Sequence, residues 1–475
     1  MATCLPDWRR FNAALRDPER AQAAVLAEIC RHSSDTAVMT GRFEELAPRT
    51  WEDFLPLVQR AAQGQPNVLT RQAITRFEPT SGSSAANKLV PSTPLLRRQF
   101  NRAIHAWAYD LLSRQPALLA GPAYWSISPV FQQQRTPGGI PVGFEEDSAY
   151  LGRYGKFLMD RVLAVPAEVR HLSVDNFRRA TLLLLLAEPE LRLISVWNPS
   201  FLTSLMREFE RDRDALLAEL RDGVTVCGRR LQREVLSNPW PRLGLISCWT
   251  DGQAQGQLAT LKRWFPETPI QPKGLIATEA FVSLPFRGQR PLAITSHYFE
   301  FEQDDGRLLR VADLREGDEG TVIVTTGGGL LRYRLGDRVA VTGFLERTPC
   351  IRFLGRQDLV SDICGEKLTD AFVASIIRDL DVRGFCLLAP DGAGYTLFAR
   401  SPPPAHDLEQ RLQENVHYRW AVQMGQLRPA QTLQVNGDAE AAYLSACEKQ
   451  GRRPGDVKPV SLDPRSDWRQ VFERP

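Results

Sequence analysis

The chain has 475 residues, of which 43% are hydrophobic and 24% are charged, and its formal net charge is +3. A chain of this length can bury a large core and is expected to form two or more domains, as an ordinary globular enzyme does. The small net charge gives no support for a nucleic-acid or a membrane partner.

Targeting segments and cysteine usage indicate the compartment in which the protein is expected. The longest apolar run, residues 182–187, is far too short to span a bilayer, and no apolar signal region opens the sequence. The eight cysteines are scattered and form no C-x-x-C pair. This pattern predicts reduced thiols in a cytoplasmic protein, and neither a disulfide framework nor a zinc site.

The first two thirds of the chain have the pattern of an α/β protein. Residues 1–70 are predicted to be mostly helical, and after them short apolar runs alternate with helical patterns. That alternation favours a layer with a mainly parallel sheet. The predicted helices of this layer are 94–112, 174–187, 200–220 and 253–265. The predicted strands are 123–127, 191–196 and 243–248.

From residue 291 the pattern changes to close-set strands separated by turns rich in Gly and Asp. These strands are predicted at 298–302, 321–325, 331–344 and 351–354. In the last part, helices are predicted near 368–380, 405–420 and 438–449, and strands near 384–389 and 394–399. The sequence therefore predicts an α/β fold with a large multi-layer N-terminal domain, residues 1–358, that combines a mainly parallel sheet with a β-rich section. A small mixed α+β C-terminal domain follows at residues 359–475.

The stretch Thr80–Lys88, with the sequence TSGSSAANK, combines hydroxyls, small residues and a terminal lysine. Small residues let the backbone fold closely around an anion, and lysine supplies a compact charge for phosphate oxygens. A Walker loop would need Gly and Ser or Thr where this chain has Asn87 and Leu89. The stretch therefore predicts phosphate binding in another enzyme class, the alternative being an ordinary loop. The candidate phosphate-binding residues are Ser81, Gly82, Ser83, Ser84 and Lys88.

The segment 272–279 is an apolar strand that ends in Thr278 and Glu279. This places a hydroxyl and a carboxylate at the carboxyl end of a strand, where α/β proteins bind ligands. Glu279 is a candidate ligand for Mg²⁺, a hard cation that prefers carboxylates and phosphates. The alternative is an exposed glutamate without a role.

Three further residues are candidates because of their setting. Asp337 follows a glycine at a predicted strand kink, which suits a carboxylate that accepts two hydrogen bonds from a ribose diol, although turn aspartates are also common. Arg356 and Asp358 lie close together at the predicted domain edge, where the alternative is a surface ion pair in a linker. Lys458 stands in a loop between Gly455 and Pro459, where the alternative is a solvated lysine.

Taken together, the order and spacing of these segments resemble the adenylate-forming superfamily, which includes acyl-CoA synthetases, luciferases and adenylation domains. Within it the chain most resembles the Gretchen Hagen family of acyl acid–amido synthetases. The resemblance covers roughly residues 75–460 and is most specific in the block from Tyr333 to Phe344. The other segments that carry it are Leu245–Gly252, Thr278–Glu279 and Lys458–Pro459.

The resemblance implies that ATP and Mg²⁺ activate a carboxylic acid as an acyl-adenylate, which an amine then converts to an amide. The serines of the 80–88 stretch and Lys88 would bind phosphates, and Glu279 the metal. Asp337 and Arg356 would hold the ribose, Lys458 would bridge the acyl carboxylate and the α-phosphate, and Asp358 would be the hinge of a mobile C-terminal domain. The residues expected near the acid are Trp107, Trp125 and Phe131.

Three alternatives stay open from the sequence. A CoA ligase of the same superfamily would use the same first step with a thiol acceptor. A stand-alone adenylation enzyme would hand the acyl group to a carrier protein. A degenerate nucleotide-binding regulator would bind ATP without catalysis. The first two share small-molecule acid substrates, and none of the three implies nucleic acid or a membrane.

Overall fold

A computed structural model of the protein describes residues 1–79, 88–126, 134–143, 162–235, 238–251, 254–356, 360–436, 439–448 and 460–473. By the contacts among its residues, the chain divides into two compact units. The described residues of 1–79 and 89–356 belong to the first unit, and Lys88 belongs with the described residues from 360 to 473 to the second.

Helices of the first unit begin where the sequence offers local signals. Helix α4 starts with Pro94, whose missing N–H costs nothing in a first turn, and the backbone N–H of Leu96 donates to the Thr93 hydroxyl over 3.1 Å. The predicted helix at 94–112 is confirmed. The helices are α1 (Leu5–Ala14), α2 (Pro18–Ser33), α3 (Trp51–Ala62), α4 (Pro94–Arg114), α5 (Val174–Leu186), α6 (Pro199–Asp222) and α7 (Gln255–Trp264).

Strands of the first unit are short up to residue 272 and longer after residue 298. They are β1 (Arg76–Pro79), β2 (Leu89–Ser92), β3 (Ala123–Trp125), β4 (Gln134–Arg135), β5 (Pro141–Val142), β6 (Leu193–Ser195), β7 (Val224–Val226), β8 (Arg229–Leu231), β9 (Leu245–Cys248), β10 (Ile270–Pro272), β11 (Tyr298–Glu302), β12 (Leu308–Arg310), β13 (Glu319–Thr325), β14 (Tyr333–Leu345) and β15 (Thr348–Arg356).

Two sheets of the first unit position the candidate site. The strands β10, β9, β6 and β3 lie in that order and all pair in parallel. The strands β12, β11, β13, β14 and β15 form an antiparallel sheet. A smaller sheet has the order β2, β1, β5, β4, and β7 pairs with β8. The mainly parallel sheet followed by a β-rich section is therefore confirmed, and the small sheet and the β7–β8 hairpin were not predicted.

A row of ion pairs crosses the antiparallel sheet. Arg332 binds the carboxylate of Glu300 through two nitrogens, at 2.7 and 2.9 Å, and Arg334 binds Glu302 in the same way at 2.6 and 2.8 Å. Two-point pairing of this kind fixes the orientation of both side chains. The row ties the start of β14 to β11 across β13, which lies between them in the sheet.

The core of the first unit encloses an uncharged histidine. The His297 ring is buried between Phe100 and Phe299, with ring centroids 5.3 and 6.3 Å away. Neither ring nitrogen has a hydrogen-bond partner among the described residues. Burial, with a smaller contribution from Arg102, lowers the pKa of His297 from 6.5 to about 3.

Acidification is therefore expected to destabilise the first unit. Between about pH 6.5 and 3 the unfolded chain binds a proton at His297 that the folded chain does not, so stability falls as pH falls, by about 1.4 kcal/mol per pH unit at full effect. His297→Phe should flatten the dependence of the urea midpoint on pH between 7.5 and 5.5. The exposed His171 offers the control His171→Phe, which should retain the parent slope. Parallel slopes for all three proteins would contradict this account.

The second unit is a small mixed α+β body, as predicted. Its elements are β16 (Val360–Ser361), β17 (Leu368–Thr369), α8 (Asp370–Asp379), β18 (Cys386–Pro390), β19 (Tyr395–Ala399), α9 (Ala405–Leu412), α10 (Val416–Gln423), β20 (Gln431–Gln434), α11 (Ala439–Glu448) and α12 (Trp468–Phe472). The single helix predicted near 405–420 is wrong. The Asn415 side chain caps a new helix there by accepting from the N–H groups of His417 and Tyr418.

Within the described residues, the structure contains no helix of the length and apolarity that a membrane crossing requires.

Candidate active site

The carboxyl edge of the parallel sheet gathers aromatic and polar side chains. Because the carboxyl ends of parallel strands meet at one edge, residues from distant parts of the sequence become neighbours there. This edge, together with the indole that α4 contributes, is called the tryptophan rim below. Its members are Trp107 on α4, Trp125 at the end of β3, Ser195 at the end of β6 with Trp197 beyond it, Cys248 at the end of β9, and Lys273 directly after β10.

Lys273 lies at the centre of the tryptophan rim. Its ammonium nitrogen donates to the Ser195 hydroxyl over 2.8 Å. The same nitrogen lies 5.0, 5.4 and 5.3 Å from the ring centroids of Trp107, Trp125 and Trp197. Only 6% of Lys273 is exposed, and the negative faces of the indoles stabilise its positive charge there.

The Gln271 side chain fixes the orientation of Trp107 in the tryptophan rim by a hydrogen bond. The indole N–H of Trp107 donates to the Gln271 side-chain oxygen over 3.0 Å, and the Ser247 hydroxyl donates to the same atom over 3.2 Å. Trp107 and Trp125 also meet edge to face, with centroids 5.4 Å apart. The two tryptophans that the sequence placed near the acid are therefore neighbours.

The thiol of Cys248 is a neutral member of the rim. Burial raises its pKa to about 11, although the positive charge of Lys273 acts in the opposite direction. A thiol with this pKa is protonated at neutral pH and is a poor nucleophile.

The strand predicted at 272–279 is wrong, because β10 ends at Pro272 and a tight turn after it carries Glu279. A side chain on Gly274 would meet the carbonyl oxygen of Ser283 at 1.8 Å, so only glycine lets the two segments approach this closely. The turn closes with the N–H of Ala277 donating to the oxygen of Ala280. Glu279 is only 7% exposed, which rules out the exposed glutamate considered from the sequence.

The Glu279 carboxylate has a defined neighbour. The Tyr333 hydroxyl lies 3.5 Å from its Oε1 and donates to it. The Tyr333 ring packs edge to face against Trp51 and Phe54, which holds the hydroxyl in place. Thr278, directly before Glu279, is half-buried.

Asp337 and Arg356 stand opposite each other in the β14–β15 pair. Directly opposite positions of a strand pair lie on the same face of the sheet. Gly336 has a φ of +83°, a left-handed conformation that suits glycine, and the pairing register shifts just after Arg338. The kink that the sequence predicted before Asp337 is present, and Asp337 itself is buried.

The ends of the 80–88 stretch are fixed by strand pairing. β1 and β2 pair antiparallel, with Pro79 opposite Leu89 and Arg76 opposite Ser92, and Lys88 directly precedes β2. The other predicted site residues fall outside the described residues. They are Ser81, Gly82, Ser83, Ser84, Phe131, Asp358 and Lys458.

The second unit contains a buried carboxylate of its own. The backbone N–H groups of Ile363 and Cys364 donate to Glu366 over 2.7 and 2.8 Å. The Tyr395 hydroxyl also donates to it. Burial first, and the charge of Asp362 second, raise the pKa of Glu366 to about 7. These hydrogen bonds stabilise the loop between β16 and β17.

Comparison with solved structures defines the fold. A GH3.15 acyl acid amido synthetase superposes with a TM-score of 0.66 at 17% identity, over 97% of this chain and 94% of that one. A 2-hydroxyisobutyryl-CoA ligase in its thioester-forming state superposes with a TM-score of 0.50 at 13% identity, over 96% and 90% of the two chains. The chain therefore has the fold of the adenylate-forming enzymes.

Comparison of sequences defines the family. The model of the GH3 family N-terminal domain matches residues 7–228, and that of the GH3 family central domain matches residues 291–356. Together they cover more than half of the sequence, and the chain belongs to the GH3 family. Among curated proteins, the probable indole-3-acetic acid-amido synthetase GH3.2 of Oryza sativa subsp. japonica is 27% identical over 451 residues, 81% of this chain and 72% of that protein. The resemblance seen in the sequence is confirmed.

Proposed function

We propose that this protein is an ATP-dependent ligase that activates a carboxylic acid as an acyl-adenylate and transfers the acyl group to an amine, forming an amide. The observation that carries the proposal is the match of two GH3 domain models in the correct order, together with a curated relative named as an amido synthetase. The amine is most simply an amino acid. The products are the amide, AMP and pyrophosphate.

In the first half-reaction, a carboxylate oxygen of the acid attacks the α-phosphorus of ATP and pyrophosphate leaves with the electron pair of the broken bond. Catalysis of this kind depends mainly on positioning and charge neutralisation. The 80–88 stretch binds the β- and γ-phosphates in this proposal, through its hydroxyls and Lys88. Lys458 bridges the attacking carboxylate and the α-phosphate.

The ribose of ATP is assigned to the β14–β15 pair. Asp337 accepts hydrogen bonds from the two ribose hydroxyls, and Arg356 contributes from the opposite strand. The register that pairs these two positions supports this assignment, because it puts them on the same face of the sheet. Thr278, directly before Glu279, is a further proposed contact for the nucleotide.

The donor set at Glu279 fits Mg²⁺. Mg²⁺ in nucleotide sites is usually held by one or two carboxylates together with phosphate oxygens and waters, so a single buried carboxylate is sufficient. Among the described residues, no group of three or more His, Cys, Asp and Glu side chains is placed to hold a metal by itself. When bound, the ion would neutralise phosphate charge, and Tyr333 would orient the carboxylate that holds it.

In the second half-reaction, the amine nitrogen attacks the acyl carbon of the adenylate, AMP leaves, and the nitrogen loses a proton. Asp358 is the proposed hinge at which the C-terminal domain, residues 359–475, reorients between the two half-reactions. The acid is placed at the tryptophan rim, against Trp107 and Trp125, with Phe131 as a third proposed neighbour.

The ribose assignment makes a testable prediction for Asp337→Asn. An amide has one acceptor oxygen where a carboxylate has two, so the variant keeps its shape but should bind ATP more weakly, by about tenfold or more. The thermal shift produced by ATP should shrink, while the melting temperature without ATP stays close to that of the parent. A variant that melts earlier but keeps the full ATP shift would make Asp337 a structural turn residue.

Pyrophosphate exchange tests the first half-reaction. The parent protein is expected to incorporate labelled pyrophosphate into ATP when one member of a panel of aryl, indole and fatty acids is present, and to need Mg²⁺ for it. Omitting the acid provides the control. ATP binding without exchange for any acid of the panel would favour the degenerate regulator and contradict the proposal.

A CoA ligase is the second candidate. A solved CoA ligase has the same fold as this chain, and this similarity in fold is the reason to consider a CoA ligase as the alternative. It differs only in the acceptor, because a thiol replaces the amine after the same first half-reaction.

A further inference from the structure

We propose that Lys273 determines which acid this enzyme accepts, by binding a hydrogen-bond acceptor that an aromatic acid carries at the end remote from its reacting carboxylate. The acceptor is a hydroxyl, a carbonyl or a second carboxylate. This inference rests on the proposed function, and it adds the substrate class. The sequence analysis assigned no role to Lys273, although the segment 272–279 that contains it was identified as a candidate site for Thr278 and Glu279.

The position of Lys273 supports a ligand role. It follows β10 directly, at the sheet edge where α/β proteins bind their ligands. Sites for small organic ligands combine apolar and aromatic walls with a few placed polar groups, and the tryptophan rim has this composition. Trp197 is 42% exposed, whereas Trp107 and Lys273 are buried. In this proposal the acid enters from the side of Trp197.

The cation at position 273 is a lysine and not an arginine, which favours a contact with a single acceptor atom. The chain has 59 basic residues, of which seven are lysines, so arginine is its usual cation. Lysine offers a compact charge with three donors, whereas arginine is planar and wide. A compact ammonium fits at about equal distance from three indole rings and still directs donors to neighbouring acceptors. One donor goes to Ser195. The proposal assigns the ligand's acceptor to the side of the ammonium that faces Trp197, whose ring centroid is 5.3 Å away.

The indole rings around Lys273 favour a substrate acid that carries an aromatic ring. Three indoles surround the ammonium, and the exposed face of the rim is itself an indole, Trp197. Planar aromatic rings gain about 0.5–1.5 kcal/mol beyond burial when they stack on or abut another ring. An aryl acid can therefore place its ring against Trp197 and its substituent at Lys273.

In this proposal the reacting carboxylate lies at the end of the acid opposite to the group that binds Lys273. The hydrogen bond of Lys273 goes to Ser195, whereas Glu279 receives its hydrogen bond from Tyr333, which packs on Trp51 and Phe54. An acid with polar groups at both ends can therefore present its reacting carboxylate to the nucleotide and its other group to Lys273.

Matched aryl acids test the inference. Benzoic acid, 4-hydroxybenzoic acid and terephthalic acid differ only in the substituent opposite the reacting carboxylate. The parent enzyme should use the two substituted acids with a kcat/KM in pyrophosphate exchange at least about tenfold above that for benzoic acid, as expected for a charged hydrogen bond. Lys273→Met should remove this preference, so that the ratio of kcat/KM for each substituted acid to kcat/KM for benzoic acid falls to about one.

Controls separate selectivity from folding. Lys262→Met changes an exposed lysine of α7 and should retain the parent preference. Quenching of tryptophan fluorescence by the three acids, measured without ATP, should show the same order of affinity in the parent and lose it in Lys273→Met. This readout needs no catalysis.

The outcomes are distinguishable. No exchange with any acid would overturn the proposed function. Exchange in the parent without preference for the substituted acids would overturn the Lys273 inference and leave the function standing, even if Lys273→Met does not fold. A preference that survives in Lys273→Met would also overturn it.

Discussion

Replacing Lys458 with alanine is expected to lower the rate of acyl-adenylate formation by about 10²–10³-fold, the usual effect of removing one preorganised charge from a developing anionic centre. Lys458 stands between Gly455 and Pro459, and its proposed role rests on the resemblance of this segment to the late lysine of the adenylate-forming superfamily. Lys458→Arg should rescue poorly, because a wide planar group does not replace a point charge.

The two half-reactions should separate in this variant. Pyrophosphate exchange reports the first half-reaction, and amide formation from a chemically supplied acyl-adenylate reports the second. Lys458→Ala should lose exchange and keep amide formation, since the lysine acts only during adenylation in this account. The exposed Lys262 provides the control Lys262→Ala. If Lys458→Ala adenylates at the parent rate, Lys458 is a solvated lysine and the two-state mechanism loses its main support.

Replacing Arg332 with methionine is expected to destabilise the protein by about 3–5 kcal/mol, because it leaves a carboxylate buried without its cation. The Glu300 side chain is only 3% exposed and receives two hydrogen bonds from Arg332. Arg332 also donates to the carbonyl of Leu46 and lies 5.0 Å from the Phe43 ring, so it ties the sheet to the segment before α3.

A matched variant isolates the effect of burial. Arg338 belongs to the same sheet but pairs with Asp304, whose side chain is 80% exposed, so Arg338→Met should cost less than about 1 kcal/mol. Adding Glu300→Gln to Arg332→Met should recover part of the loss, because it removes the unpaired charge. Equal urea midpoints for Arg332→Met and Arg338→Met would show that burial does not decide the strength of these pairs.

Local signals in the sequence were sufficient for much of the fold and part of the site. Pro94 and the cap at Thr93 predict α4, and the Gly336–Asp337 pair predicts the kink in β14. The split at Asn415 was missed although its signal is local, because a continuous helical pattern on both sides concealed the cap. The strands β1 and β2 were missed because each is four residues long and contains a proline.

The tryptophan rim could not be predicted, because it depends on contacts between distant parts of the sequence. Lys273 meets Ser195, which is 78 positions away, and Gln271 meets Trp107, which is 164 positions away. Only the order of the strands in the parallel sheet brings these residues to one edge. The sequence analysis placed Lys273 inside a predicted strand, 272–279, whereas β10 ends at Pro272 and Lys273 follows it. The sequence alone also does not show which strands lie beside this one.

Identification of the acceptor product tests the central claim most directly. The protein would be incubated with ATP, Mg²⁺, an acid that supports pyrophosphate exchange, and either a mixture of amino acids or CoA, and the products would be weighed by mass spectrometry. The account predicts an N-acyl amino acid, with the mass of acid plus amino acid minus water, formed together with one AMP per amide. A thioester of CoA formed in place of the amide would contradict it.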